Sequence, residues 1–183
     1  VMADNFSSMV SAGEFQHPDL ISNEVIDLAK RIRAHVGRPM FFTLKGGINH
    51  HPGGDARFFS PSSDSFSLHY INLDHNASFI NQTPVMKDGE KCKALDFDIE
   101  VEDCEDFLDL AIQISGIVGY GCGLGIYPAW QNAGFHIDVR GTKHPLPYAR
   151  WWAEYADNGN QIYHNGFGFS DATEIYSKFK DKF

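Results

Sequence analysis

Two short stretches carry side chains that could do chemistry together. In Ala94-Leu95-Asp96-Phe97-Asp98-Ile99-Glu100 three acids recur at every second residue. In Gly134-Phe135-His136-Ile137-Asp138-Val139-Arg140-Gly141 an imidazole, a carboxylate and a guanidinium do the same. A strand turns successive side chains to opposite faces, so each trio projects from one side. If the two strands are neighbours, Asp96 and His136 reach a shared divalent metal, and a further acid such as Asp138 is left over as base. Zinc hydrolases need that set: three protein ligands, an open position for water, and a carboxylate to take the water's proton. The competing reading is a half-exposed strand with a solvated polar face, on which His136 pairs with one of the acids.

The elements that must position these residues are legible in outline. Val25, Leu28, Ala29, Ile32 and Val36 recur at helical spacing. Ser22 or Asn23 can cap that helix, and Gly37 followed by Pro39 ends it. A buried strand is expected over 40–44 and others over 66–73 and 94–101, with Leu95, Phe97 and Ile99 facing one way. A second helix is expected from about Asp103 to Ile117, two strands over 123–127 and 134–139 around a turn at 128–132, and an amphipathic helix from about Ser170. The segment between 152 and that last helix reads as Gly- and aromatic-rich loop. This order argues for an α+β domain with a mainly antiparallel sheet flanked by helices. The expected division is an N-terminal arm at 1–18, a domain at 19–152 and a C-terminal extension at 153–183. Gly119-x-Gly121-x-Gly123-x-Gly125 lacks the context of a dinucleotide site and reads as a turn and a glycine-tolerant strand.

Composition narrows the partners. The formal charge of −9 opposes binding to nucleic acid and to anionic membranes, since both need neutralising cations. It favours a small-molecule, peptide or protein partner. Cys92, Cys104 and Cys122 form no Cys-x-x-Cys pair and read as free thiols. The apolar run over 107–130 is broken by Asp109, Gln113 and several glycines, so it reads as a buried helix running into a strand. Residues 1–15 lack a basic stretch followed by an apolar one and do not read as a signal peptide.

The residues from 94 to 151 resemble the zinc-dependent D-Ala-D-Ala carboxypeptidases and murein D,D-endopeptidases of bacterial cell walls. Lys93-Ala94-Leu95-Asp96 is similar to the end of their motif Ser-x-His-x-x-Gly-x-Ala-x-Asp. Gly123-Leu124-Gly125-Ile126-Tyr127-Pro128, the His136-x-Asp138-x-Arg140-Gly141 run and Ala149-Arg150-Trp151 are similar to their closing segment. The resemblance implies a hedgehog-like peptidase fold over about 19–152. It implies Asp96 and His136 as zinc ligands, Asp138 as base or ligand-orienting group, and Arg140 and Trp151 on the substrate side. It implies peptidoglycan peptides, or a protein partner, as what the domain meets.

Two positions depart from the pattern. Counting back seven residues from Asp96, the first histidine ligand falls on Gly89, the motif glycine on Cys92 and the motif serine on Lys87. The family's Gly-Tyr-Arg, whose arginine helps hold a substrate carboxylate, reads Gly46-Gly47-Ile48. Asp88, Glu90, Cys92, His50, His51 and His69 are the residues that could supply the third ligand, while His50-His51 and the pair His69 and His75 otherwise read as loop residues. The expectation is a degenerate domain serving as a structural or binding module, in a phage particle or a cell-wall complex. The alternative is an active metallopeptidase with a substituted third ligand. Delivery by lysis, carriage in a virion and a cytoplasmic setting all fit.

Overall fold

The computed structural model describes residues 9–42, 56–57 and 67–183. Its core is one open six-stranded sheet, mostly antiparallel, with helices packed on one face. The strands are β1 (Met40–Phe42), β2 (Ala94–Ile99), β3 (Cys122–Tyr127), β4 (Gly134–Asp138), β5 (Tyr148–Tyr155) and β6 (Gln161–Asn165), in the spatial order β1-β2-β4-β3-β5-β6. Only β3 and β5 run parallel. The helices are α1 (Asn23–Val36), the short α2 (Ala77–Asn81), α3 (Cys104–Ile117) and α4 (Phe169–Phe179).

The helix ends follow from local chemistry. The Ser22 hydroxyl accepts a hydrogen bond from the Val25 amide, and Gly37 closes α1 at φ 66°, a left-handed conformation that glycine adopts without a Cβ penalty. The Asp103 carboxylate caps α3 by accepting from the Asp106 amide. The apolar stripe of α1 is buried from Val25 to Ile32, as its spacing predicts, and Val36 is partly buried. It packs with Phe107, Leu110 and Ile114 of α3 over Leu95, Phe97, Leu124, Ile126, Phe135 and Ile137 of the sheet. No helix among the described residues is long and apolar enough to cross a membrane.

Three expectations need correcting. Residues 67–73 form turns and isolated bridges rather than a strand, because side chains of both parities are buried: Leu68, Ile71 and Leu73, with His69 between them. The stretch after 152 holds strands: β5 crosses the expected 152/153 boundary, and β6 pairs with it. The ends are also part of the domain core. Val10 and Phe15 are buried, and Glu14 pairs with Arg33 of α1 at 2.6 Å. At the other end Ile175 of α4 is fully buried, the Trp152 indole donates to Asp171, and Phe183 stacks on Phe107. We therefore expect Ile175→Ala to cost about 2–5 kcal/mol in chemical denaturation, the range for emptying a buried isoleucine site. A loss under about 1 kcal/mol would mean that α4 is an appendage.

Candidate metal centre

The face of the sheet opposite the helices floors a cleft of about 1190 Å³. One cross-strand row runs along it: Asp96 of β2 sits opposite His136 of β4, His136 opposite Gly125 of β3, Gly125 opposite Trp151 of β5, and Trp151 opposite Asn165 of β6. Side chains in one such row share a face, so the register alone brings Asp96 and His136 together. Their contact is 2.8 Å, from His136 Nδ1 to Asp96 Oδ1.

A third group reaches the same point. His69, in the buried turn before β2, brings Nε2 to 3.4 Å from the same Asp96 oxygen. Its ring meets that of His136 edge-on with centroids 5.2 Å apart. His69, Asp96 and His136 each offer a ligand atom, and these atoms all lie within 4.8 Å of one another. The set suits a divalent metal that accepts two imidazole nitrogens and one carboxylate oxygen, leaving further positions open.

Burial and charge set the protonation of each of the three groups differently. Burial would raise the Asp96 carboxyl, but His69 and His136 outweigh it and hold the group well below the usual carboxylate range. Burial lowers the His69 imidazole against the pull of Asp96, which favours the neutral form that ligates metals. For His136 burial acts in the same direction, but Asp138 and Asp96 override it and bring the group up to about 9. Two carboxylates thus hold a proton on this ring, and a metal at Nδ1 would have to displace it, so metal affinity there is expected to rise with pH up to about 9.

The contacts of Asp138 bear on its two expected roles, base and ligand-orienting group. It is fully buried, with Oδ1 accepting from Arg140 Nε at 2.7 Å and Oδ2 from Arg140 Nη2 at 2.5 Å. Its Oδ2 also lies 3.3 Å from His136 Nε2. Burial would raise its carboxyl, but Arg140 and His136 hold it far below the usual range. A carboxylate so held is a weak base. Its Oδ2 faces His136 Nε2, the ring nitrogen turned away from Asp96, the arrangement in which a carboxylate can orient an imidazole. Arg140 is spent on Asp138 and on the Leu146 carbonyl.

Trp151 lies against the centre, its ring centroid 5.3 Å from that of His136 and its indole donating to the Tyr127 hydroxyl at 3.0 Å. Glycines on β3 make this packing possible. A Cβ at Gly125 would sit 2.6 Å from the Trp151 ring, and one at Gly123 would meet Arg140 and Asp138 at 2.4 and 2.5 Å. Gly125→Ala is accordingly expected to push the indole off β3 and cost about 1–3 kcal/mol. Near-ultraviolet circular dichroism with chemical denaturation checks this, and unchanged spectra and stability would refute the packing.

Other sequence candidates lie elsewhere. Gly89 takes φ 76° in a turn, and Glu90 is bridged to Lys87 and Lys93. The Cys92 thiol is buried against the Ala94 carbonyl, and no disulfide joins Cys92, Cys104 or Cys122. His75 is buried, with Nε2 2.6 Å from the Tyr70 carbonyl oxygen. His50, His51 and Gly46 to Ile48 lie outside the described residues. Spacing missed Arg57, whose Nη2 is 3.7 Å from Asp96 Oδ2 on the side of the carboxylate away from the histidines. No protein-family model, curated protein or solved structure matches the chain.

Proposed function

We propose that this chain is a zinc hydrolase of the D,D-peptidase type, with His69, Asp96 and His136 as the ligands of its metal. The convergence of those three donor sets within 4.8 Å carries the reading. The ligand that fixed spacing assigns to Gly89 has a substitute in His69. Ser67-Leu68-His69 repeats the Ser-x-His that opens the peptidase motif, and Ala94-Leu95-Asp96 its Ala-x-Asp close, with residues 70–93 standing where the motif has four residues. The cleft, about 1190 Å³, has room for a short peptide.

When bound, zinc would supply a Lewis acid that activates water and polarises the scissile carbonyl. The chain's own residues do the rest. Asp138 and Arg140 fix the His136 ring. Arg57, beside Asp96 and partly exposed, is the cation suited to a substrate carboxylate. Trp151 and Tyr127 give the substrate a flat wall next to the metal.

One observation favours the binding-module reading. Among the described residues lining the cleft, the carboxylates are Asp96, which the metal would claim, and Asp138, whose oxygens are taken. The two readings part in one assay. Zinc-loaded protein is incubated with diacetyl-L-Lys-D-Ala-D-Ala, and release of D-alanine is measured. Release that stops on chelation and in His136→Ala supports the hydrolase. Stoichiometric zinc with no release supports the module.

A further inference from the structure

The cleft extends well past the metal point. From β4 to β6 it crosses three strand spacings, roughly 14 Å at ~4.8 Å each. Its far floor is the face of the β5–β6 hairpin, where the pairing Trp151↔Asn165, Ala153↔Tyr163 and Tyr155↔Gln161 aligns three cross-strand couples. The opposite face of the hairpin is occupied, with His164 stacked on Trp152 and bound to Glu154. Trp151, Tyr155, Gln161, Tyr163 and Asn165 all line the cleft, and none is charged. Tyr155 and Tyr163 are 47% and 57% exposed, although aromatic rings of that size usually seek cover. The Tyr163 hydroxyl donates to the Gln161 side-chain oxygen at 2.7 Å, which ties the two groups together on this face.

We propose that this hairpin face is a saccharide subsite for a neutral, N-acetylated sugar chain. Flat aromatic faces carry negative charge density and attract the weakly positive C–H edges of a pyranose ring. Carboxamides and phenols offer the donor and acceptor pairs that hydroxyls and acetamides require. A polyanion finds no cation among these five side chains, and a charged peptide no counter-charge. Their chemistry therefore complements a neutral, polyhydroxylated ligand.

The identification of the sugar as an amino sugar rests on the cell-wall reading above, and the spacing agrees with it. A stem peptide of about four extended residues covers ~13–14 Å at 3.3–3.6 Å each. A sugar seated on the hairpin would put the end of its stem at the metal point. Residues beyond 152, which the family resemblance does not cover, thus acquire a role in substrate binding.

Calorimetric titration of the full chain with the N-acetylglucosamine tetramer tests this. Saturable binding is expected, weakened at least about tenfold by Tyr163→Ala and by Tyr155→Ala, whose rings are exposed enough to be lost without unfolding the domain. Binding is expected to persist in His69→Ala, so failure of the metal reading leaves this result intact, and the reverse holds as well. Maltotetraose, which lacks acetamides, is expected to bind more weakly. Absence of saturable heat, or binding that neither tyrosine variant changes, would overturn the proposal. Equal binding of maltotetraose would overturn its assignment to an amino sugar.

Discussion

His69→Ala is expected to abolish stoichiometric zinc binding. Wild-type protein is expected to take up one zinc per chain, and the variant to bind it on the order of a hundredfold more weakly or worse, since two ligands make a poor zinc site. The size of the effect follows from geometry. His69 approaches the oxygen that His136 contacts, so its loss removes one corner of the site and leaves the other two in place. Asp88→Asn is the matching control. Asp88 flanks the position to which fixed spacing assigns the ligand, yet it is exposed and belongs to no metal-binding group among the described residues. Its zinc affinity should equal the wild type's. Competition titration with a chromophoric chelator reads both variants, and equal affinity in His69→Ala and wild type would remove His69 from the site.

The second large effect is on stability. Asp138→Asn keeps the shape of the side chain and removes its charge, leaving the nearly buried Arg140 guanidinium without its partner. Breaking a buried pair in this way costs about 3–5 kcal/mol, because one charge remains desolvated and uncompensated. For a chain of this size that corresponds to a fall in Tm of roughly 2–4 °C per kcal/mol. Replacing both members, as in Asp138→Leu with Arg140→Met, is expected to restore much of the loss, since neither charge then remains. Asp138→Asn should also weaken zinc by about 10–100-fold through its hold on His136. If thermal unfolding of Asp138→Asn matched the wild type, the pair would carry no load and the positioning role would fail with it.

What the sequence disclosed and what it hid have separate physical origins. Asp96 and His136 were legible because strand periodicity fixes which way side chains face, and β2 and β4 alternate cleanly at those positions. The capped helices α1 and α3 were legible for the same local reason. His69 stood as one of six candidates for the third ligand and could not be singled out, because no period governs an irregular segment and residues 70–93 separate it from the strand it serves. A motif counted at fixed spacing cannot cross such an insertion, so the count landed on a turn glycine. β5 was hidden because both its faces are used: Trp151 turns to the cleft and Trp152 to α4, which erases the alternation of a half-buried strand. β6, with its polar residues around Ile162 and Tyr163, resembles a loop in composition and becomes a strand by pairing with β5. The role of Asp138 could not be read from its type. Whether a carboxylate acts as base or as positioner depends on what its oxygens already hold.

X-ray absorption at the zinc edge tests the three-residue centre most directly. One zinc per chain is expected, with only nitrogen and oxygen neighbours at about 2.0–2.2 Å and the multiple-scattering signature of two imidazoles. A sulfur shell near ~2.3 Å would point to Cys92 or Cys122 instead, and a single imidazole, or no bound zinc, would contradict the centre itself.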